Sequence, residues 1–140
     1  MKTLVFVSVV LCTLLIGGVS WKTTAATDLQ KRRAVTQFDN PVIVQGVVLK
    51  GQYLFVHDDA AMNRGDVCTF IYKGDTEAPD RLVAKFHCLH VERARAKNFT
   101  VRTREVAPGM LELTEFQFGG ETAAHAVPAS EMTAVVSLTN

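Results

Sequence analysis

The chain has 140 residues, 48% of them hydrophobic, with 15 Lys plus Arg against 14 Asp plus Glu. That length holds one domain with a modest core, not two. A balance so close to neutral gives no global electrostatic drive toward nucleic acid, which is set aside as a partner.

Met1-Lys2 carries a positive charge, residues 4–16 are a nearly unbroken apolar run, and Gly17-Gly18 precedes small residues at Ser20, Ala25 and Ala26. This is the layout of a secretory signal peptide, helical in its apolar part. The run falls short of the about 20 residues that a spanning helix needs. Cleavage is placed after Ala26, with Ser20 and Ala25 as the other fitting positions. An uncleaved segment is the one route to a membrane. Leu11 stands before Cys12 where a lipobox has a small residue, which argues against lipidation. The expected organisation is a signal peptide over 1–26, a flexible lead-in over 27–40 and a single β domain over 41–140. The expected location is periplasmic or secreted.

The lead-in contains Lys31-Arg32-Arg33, a solvated triplet with anionic lipid or polymer as its alternative role. Residues 41–49 are a strand, apolar almost throughout, and Lys50-Gly51 is its turn. The next strand, 52–57, sets Tyr53, Phe55 and His57 on one face. Residues 58–66 form a loop with a helical turn over 60–63. A hairpin follows, with strands over 68–72 and 82–88 and a polar loop between them. Placing Cys68 opposite Cys88 also places Phe70 opposite Phe86 and Tyr72 opposite Ala84. Residues 91–98 suit a short helix or turn. Strands are expected over 99–104 and 110–118, joined by Pro108-Gly109. In the second of these the apolar residues change parity, Leu111 and Leu113 and then Phe116 and Phe118, which calls for a bulge near Thr114. Residues 119–130 read as loop and 133–138 as a last strand. About seven short strands with a short helix make an all-β, mainly antiparallel fold, either a small sandwich or an open barrel.

An even pair of cysteines in an exported chain points to a Cys68–Cys88 disulfide. His57, His87, His90 and His125, with or without those cysteines, are the alternative: a copper or zinc site. Strand alternation keeps His87, Cys88 and His90 from sharing one ion, and no methionine is spaced as an axial copper ligand. The remaining serines, Ser130 and Ser137, lie in no nucleophile elbow. No catalytic residue and no cofactor is expected. Asp58 and Asp59 adjoin His57, but adjacent carboxylates rarely converge on one substrate. Arg64-Gly65-Asp66 and the sequon Asn98-Phe99-Thr100 are short matches that carry no function alone.

Arg93, Arg95, Lys97, Arg102 and Arg104 crowd one stretch, with Glu112 and Glu115 downstream. Cross-strand pairing across the Pro108-Gly109 turn accounts for them. The alternative is a basic patch, with Asp58 and Asp59 in a second loop, for an envelope protein or anionic polymer. His57-Asp58-Asp59, Arg64-Gly65, Cys68, Tyr72, Phe86-His87-Cys88 and Glu115-Phe116-Gln117-Phe118 together resemble a pattern found in small, uncharacterised secreted bacterial proteins. The resemblance covers most of the exported part. It implies a bacterial envelope or secreted setting and brings no activity with it. The expected role is a non-catalytic binding or structural module, with metal binding as the alternative.

Overall fold

The computed structural model describes residues 31–129. The signal segment and the strand expected over 133–138 lie outside the described residues. Strand β1 (Lys31–Val44) pairs with β2 (Val47–Asp58) through a two-residue turn, Gln45-Gly46. Both turn residues have positive φ, 50° and 77°, as the right-handed twist of a tight hairpin requires. A Cβ at Gly46 would meet nothing within 4 Å, so only the backbone opposes a side chain there. Gly46→Ala is expected to lower stability by about 1 kcal/mol. The check is a shifted urea midpoint at constant m-value.

Two expectations change here. Residues 31–40, read as a lead-in, belong to β1. Every second residue, Arg32, Ala34, Thr36 and Phe38, turns inward, yet only Phe38 is a large apolar residue, so the period is masked. The turn expected at Lys50-Gly51 is absent, and both residues lie within the continuous strand β2. Gly51, with φ 98°, sits opposite Phe38 beside a register shift.

A short helix, α1 (Asp59–Asn63), follows β2 where one helical turn was expected. The Asp58 carboxylate caps it, accepting from Ala61 N–H at 3.0 Å. Strands β3 (Thr69–Lys73) and β4 (Leu82–Phe86) form the expected hairpin, one residue out of the expected register. Thr69 faces Phe86, Phe70 faces Lys85 and Ile71 faces Ala84. A one-residue slip exchanges the two faces. Ile71 therefore enters the main core, while Phe70 and Tyr72 pack with Leu54 and Val56 on the other side.

Strand β5 (Leu89–Glu92) reaches two residues into the stretch 91–98 expected as a short helix or turn, whose remainder is irregular with bends and no helix, and β8 (Ala123–Ala126) lies inside the expected loop. Between them come β6 (Thr100–Ala107) and β7 (Met110–Gln117). Their register passes from Arg102–Glu115 to Thr103–Leu113, skipping Thr114, so the expected bulge is present.

The eight strands of the described residues form one mixed sheet in the order β4-β3-β2-β1-β7-β8-β5, with β6 on β7. β1 and β7 run parallel at Val42–Leu111 and Ile43–Glu112, and the other pairs are antiparallel. One edge of β7 is taken by β6. The other is shared, β1 holding its first half and β8 its second. The sheet curls into a half-barrel, which is the open-barrel form of the expected class. Phe38, Phe55, Phe86, Phe116 and Phe118 form its core, with the Phe55 and Phe116 rings 5.4 Å apart.

Candidate metal centre

At one end of this core three separate segments each deliver one donor. His57 continues the inward face of Tyr53 and Phe55 on β2. His125 on β8 faces Phe116 of β7, and its imidazole stacks on that ring at 5.0 Å and 22°. Cys88 stands at the corner between β4 and β5. Its sulfur lies 3.6 Å from His57 Nδ1 and 3.6 Å from His125 Nδ1. The two imidazole centroids are 4.0 Å apart. Both histidines are fully buried and Cys88 is 1% exposed. Among the described residues, this trio has the spacing of a metal site.

Burial governs the protonation of the group. It pulls His57 down to about 4, helped by the Arg32 charge and opposed by Asp58. It pulls His125 down to about 3, helped by the charge of His57. It pushes the Cys88 thiol up to about 12. At neutral pH the trio is two neutral imidazoles and a thiol, so both histidines keep a lone pair for a cation. The Nε2 atoms of both rings are buried without a hydrogen-bond partner. Asp59 Oδ1 is 3.1 Å from His57 Nε2, an electrostatic contact outside hydrogen-bond alignment. Arg32 holds Asp59 at 3.1 Å and also pairs with Glu121.

Two further sulfurs adjoin Cys88. Cys68 Sγ is 3.2 Å away and Met62 Sδ, on α1, is 3.9 Å away. The cysteines expected as a disulfide meet, but as free thiols, since a bond would bring the sulfurs to about 2.05 Å. They do not meet as opposed strand residues. Cys68 precedes β3 and Cys88 follows β4, and Cys68 N–H bonds to the Phe86 carbonyl at 3.2 Å. Met62 is a neighbour that sequence reasoning missed, because a methionine on a single helical turn shows no ligand spacing. Its five-residue offset from His57, across a capped turn, was the available signal.

The other expected residues are placed elsewhere. His87 is half-buried, with Nδ1 2.6 Å from the Asp66 carbonyl, and His90 is exposed beside Glu92. Neither joins the trio. Asp58 serves as the helix cap and Asp59 as the partner of Arg32, so they form no surface patch. The basic stretch is largely consumed by pairing. Arg93 and Arg102 share Glu115, Arg104 binds Glu112, and Arg95 donates to the Gly120 carbonyl. Of the triplet expected to be solvated, Lys31 and Arg33 are exposed, Arg33 pairing with Glu77 at the surface, while Arg32 is half-buried and ion-paired as above. A cavity of about 680 Å³, lined by Lys31, Arg33, Lys97, Phe99 and Phe118, opens next to Arg32. Phe118 separates it from the two imidazoles, with its ring 6.4 Å and 5.9 Å from them. No protein-family model, curated protein or solved structure matches the chain.

Proposed function

We propose that the protein is an exported, non-catalytic β domain that binds a thiophilic transition-metal ion, copper or zinc, through His57, Cys88 and His125. The observation that carries this reading is one buried sulfur placed 3.6 Å from each of two buried imidazole nitrogens. Donors bonded to one ion at about 2.0–2.3 Å, in trigonal or tetrahedral array, stand about 3.6 Å from each other. Imidazole and thiolate together suit copper and zinc, and the Met62 thioether on the same sulfur adds a soft donor favoured by copper. The Asp59 carboxylate, 3.1 Å from His57 Nε2, places negative charge behind that imidazole, which favours a bound cation. Complete burial supports holding an ion over catalysis, since catalytic sites keep an open coordination position. The signal-like N-terminus supports export.

The test is titration of the purified, reduced chain with Co(II), Zn(II) and Cu(I), the last against a competing chelator. One ion per chain is expected, with a thiolate-to-metal charge-transfer band for Co(II). Cys88→Ala and His125→Ala are expected to weaken binding by more than the about 10–100-fold that outer-shell changes cost. His90→Ala is expected to leave it unchanged. Equal affinity in wild type and His125→Ala would refute the site.

A further inference from the structure

We infer that the site is redox-gated: Cys88 serves either as metal ligand or as half of a Cys68–Cys88 disulfide, so that a small peroxide expels the ion. This rests on the metal-binding reading above. Cys88 Sγ is the hub of the site, 3.6 Å from each imidazole and 3.2 Å from Cys68 Sγ. Cys68 is not part of the donor trio; the imidazole it touches is that of His87, at 3.8 Å. The two uses of Cys88 therefore compete for one atom. Closing the remaining gap to about 2.05 Å turns the Cys88 sulfur from the histidines toward Cys68. Once bonded, it no longer has the thiolate charge that ligates a metal. Cys88 N–H already donates to Cys68 Sγ at 3.2 Å, which holds the pair in register for the bond.

The chemistry balances with hydrogen peroxide as oxidant. The Cys68 sulfur attacks one peroxide oxygen, the O–O bond breaks, and water leaves a sulfenic acid on Cys68. The metal-bound Cys88 thiolate then attacks the Cys68 sulfur. An S–S bond forms, the S–O bond breaks and hydroxide departs, while the metal–sulfur bond breaks and the ion leaves with its charge. The two sulfurs give up two electrons in all and the peroxide accepts them. A reducing thiol reverses the change by exchange, oxidising two of its own sulfhydryls. Both sulfurs are buried, which favours a small uncharged oxidant over a bulky disulfide.

The experiment loads the reduced chain with Zn(II), adds hydrogen peroxide, and follows zinc release with a chromophoric chelator. Disulfide formation is read by intact mass and peptide mapping. Wild type is expected to form Cys68–Cys88 and release its zinc, with affinity falling by more than the about 10–100-fold of an outer-shell change. Dithiothreitol is expected to restore binding. Cys68→Ser and Cys68→Ala are expected to bind zinc like wild type and keep it under the same peroxide dose. A mapped disulfide that still binds zinc with the reduced affinity would overturn gating and leave the metal site standing. So would zinc release with no Cys68–Cys88 bond. A reduced chain that takes up no metal would overturn both readings. The reduced and oxidised wild-type chains decide the matter even where a Cys68 variant folds poorly.

Discussion

Lowering the pH from 6.5 to 4 in the presence of a chelator is expected to remove several kcal/mol from the stability of the domain. His57 and His125 are held near 4 and near 3 when folded and return to 6.5 when unfolded. Between those values the unfolded chain binds protons that the folded chain refuses, so stability rises with pH. The contribution is complete above 6.5 and is lost as pH falls toward the folded values. Each histidine costs about 1.4 kcal/mol per pH unit across its window. Total stability for such a domain is about 5–15 kcal/mol. The charges facing His57 are Arg32 from β1, Asp58 and Asp59 at the start of α1, and His87 after β4. Those facing His125 are Asp59, Arg32, His57 and His90. Burial outweighs the two acids, which fixes the sign. Glu115, held low by Arg93, adds a loss of the same direction at more acid pH. Urea midpoints at pH 7, 6, 5 and 4 provide the measurement. A midpoint that stays level from 6.5 to 4.5 would mean that the two imidazoles take up protons freely in the fold. A metal ion on the same nitrogens is expected to steepen the loss, because acid then expels the ion as well.

Phe116→Ala is expected to cost about 3–5 kcal/mol, the range for removing a fully buried aromatic ring. The ring touches most of the core: Phe55 at 5.4 Å, Phe118 at 5.9 Å, Phe99 at 6.3 Å and Phe86 at 6.5 Å between centroids. It also carries the stacked imidazole of His125. Truncation therefore leaves a cavity and removes the surface on which the His125 imidazole, a donor of the proposed metal site, is stacked. Phe116→Leu keeps most of the volume without the flat surface. It is expected to retain most of the stability yet bind metal less tightly than wild type. Chemical unfolding and metal titration of the two variants separate these effects. A loss below about 1 kcal/mol in Phe116→Ala would show that the core collapses around the gap.

The strands that could be read from the sequence were those with strong alternation or apolar runs, β2, β3, β4, β6 and β7. The Thr114 bulge was legible because parity changes inside one apolar strand. The first half of β1 was hidden because its inward positions include Arg32, held by ion pairing, and the small residues Ala34 and Thr36, so no run of large apolar residues marks the face. β8 was hidden because Ala-Ala-His-Ala has no β-branched residue, and its pairing is decided by β5 and β7 on either side. The hairpin register was missed because it was anchored on the cysteines, which stand just outside the two strands. His57, Cys88 and His125 were each visible as donors. That these three meet, while His87 and His90 do not, depends on the curl of the sheet, which a local pattern does not carry.

The shared edge of β7 sets the order in which this molecule can be assembled. β1 to β4 are joined by successive hairpins and can form early, bringing His57 and both cysteines together. His125 arrives only when β8 settles on β7 beside the parallel β1–β7 contact. The β7–β8 pairing is local, but the β1–β7 contact, Val42 with Leu111, joins distant parts of the chain, and such contacts are the slow steps of folding because a large loop closes before they reward it. Before β8 settles, the chain has His57 and Cys88 in place but not His125, so the trio lacks one member. On the proposed metal-binding reading, uptake of an ion would wait for completion of the fold.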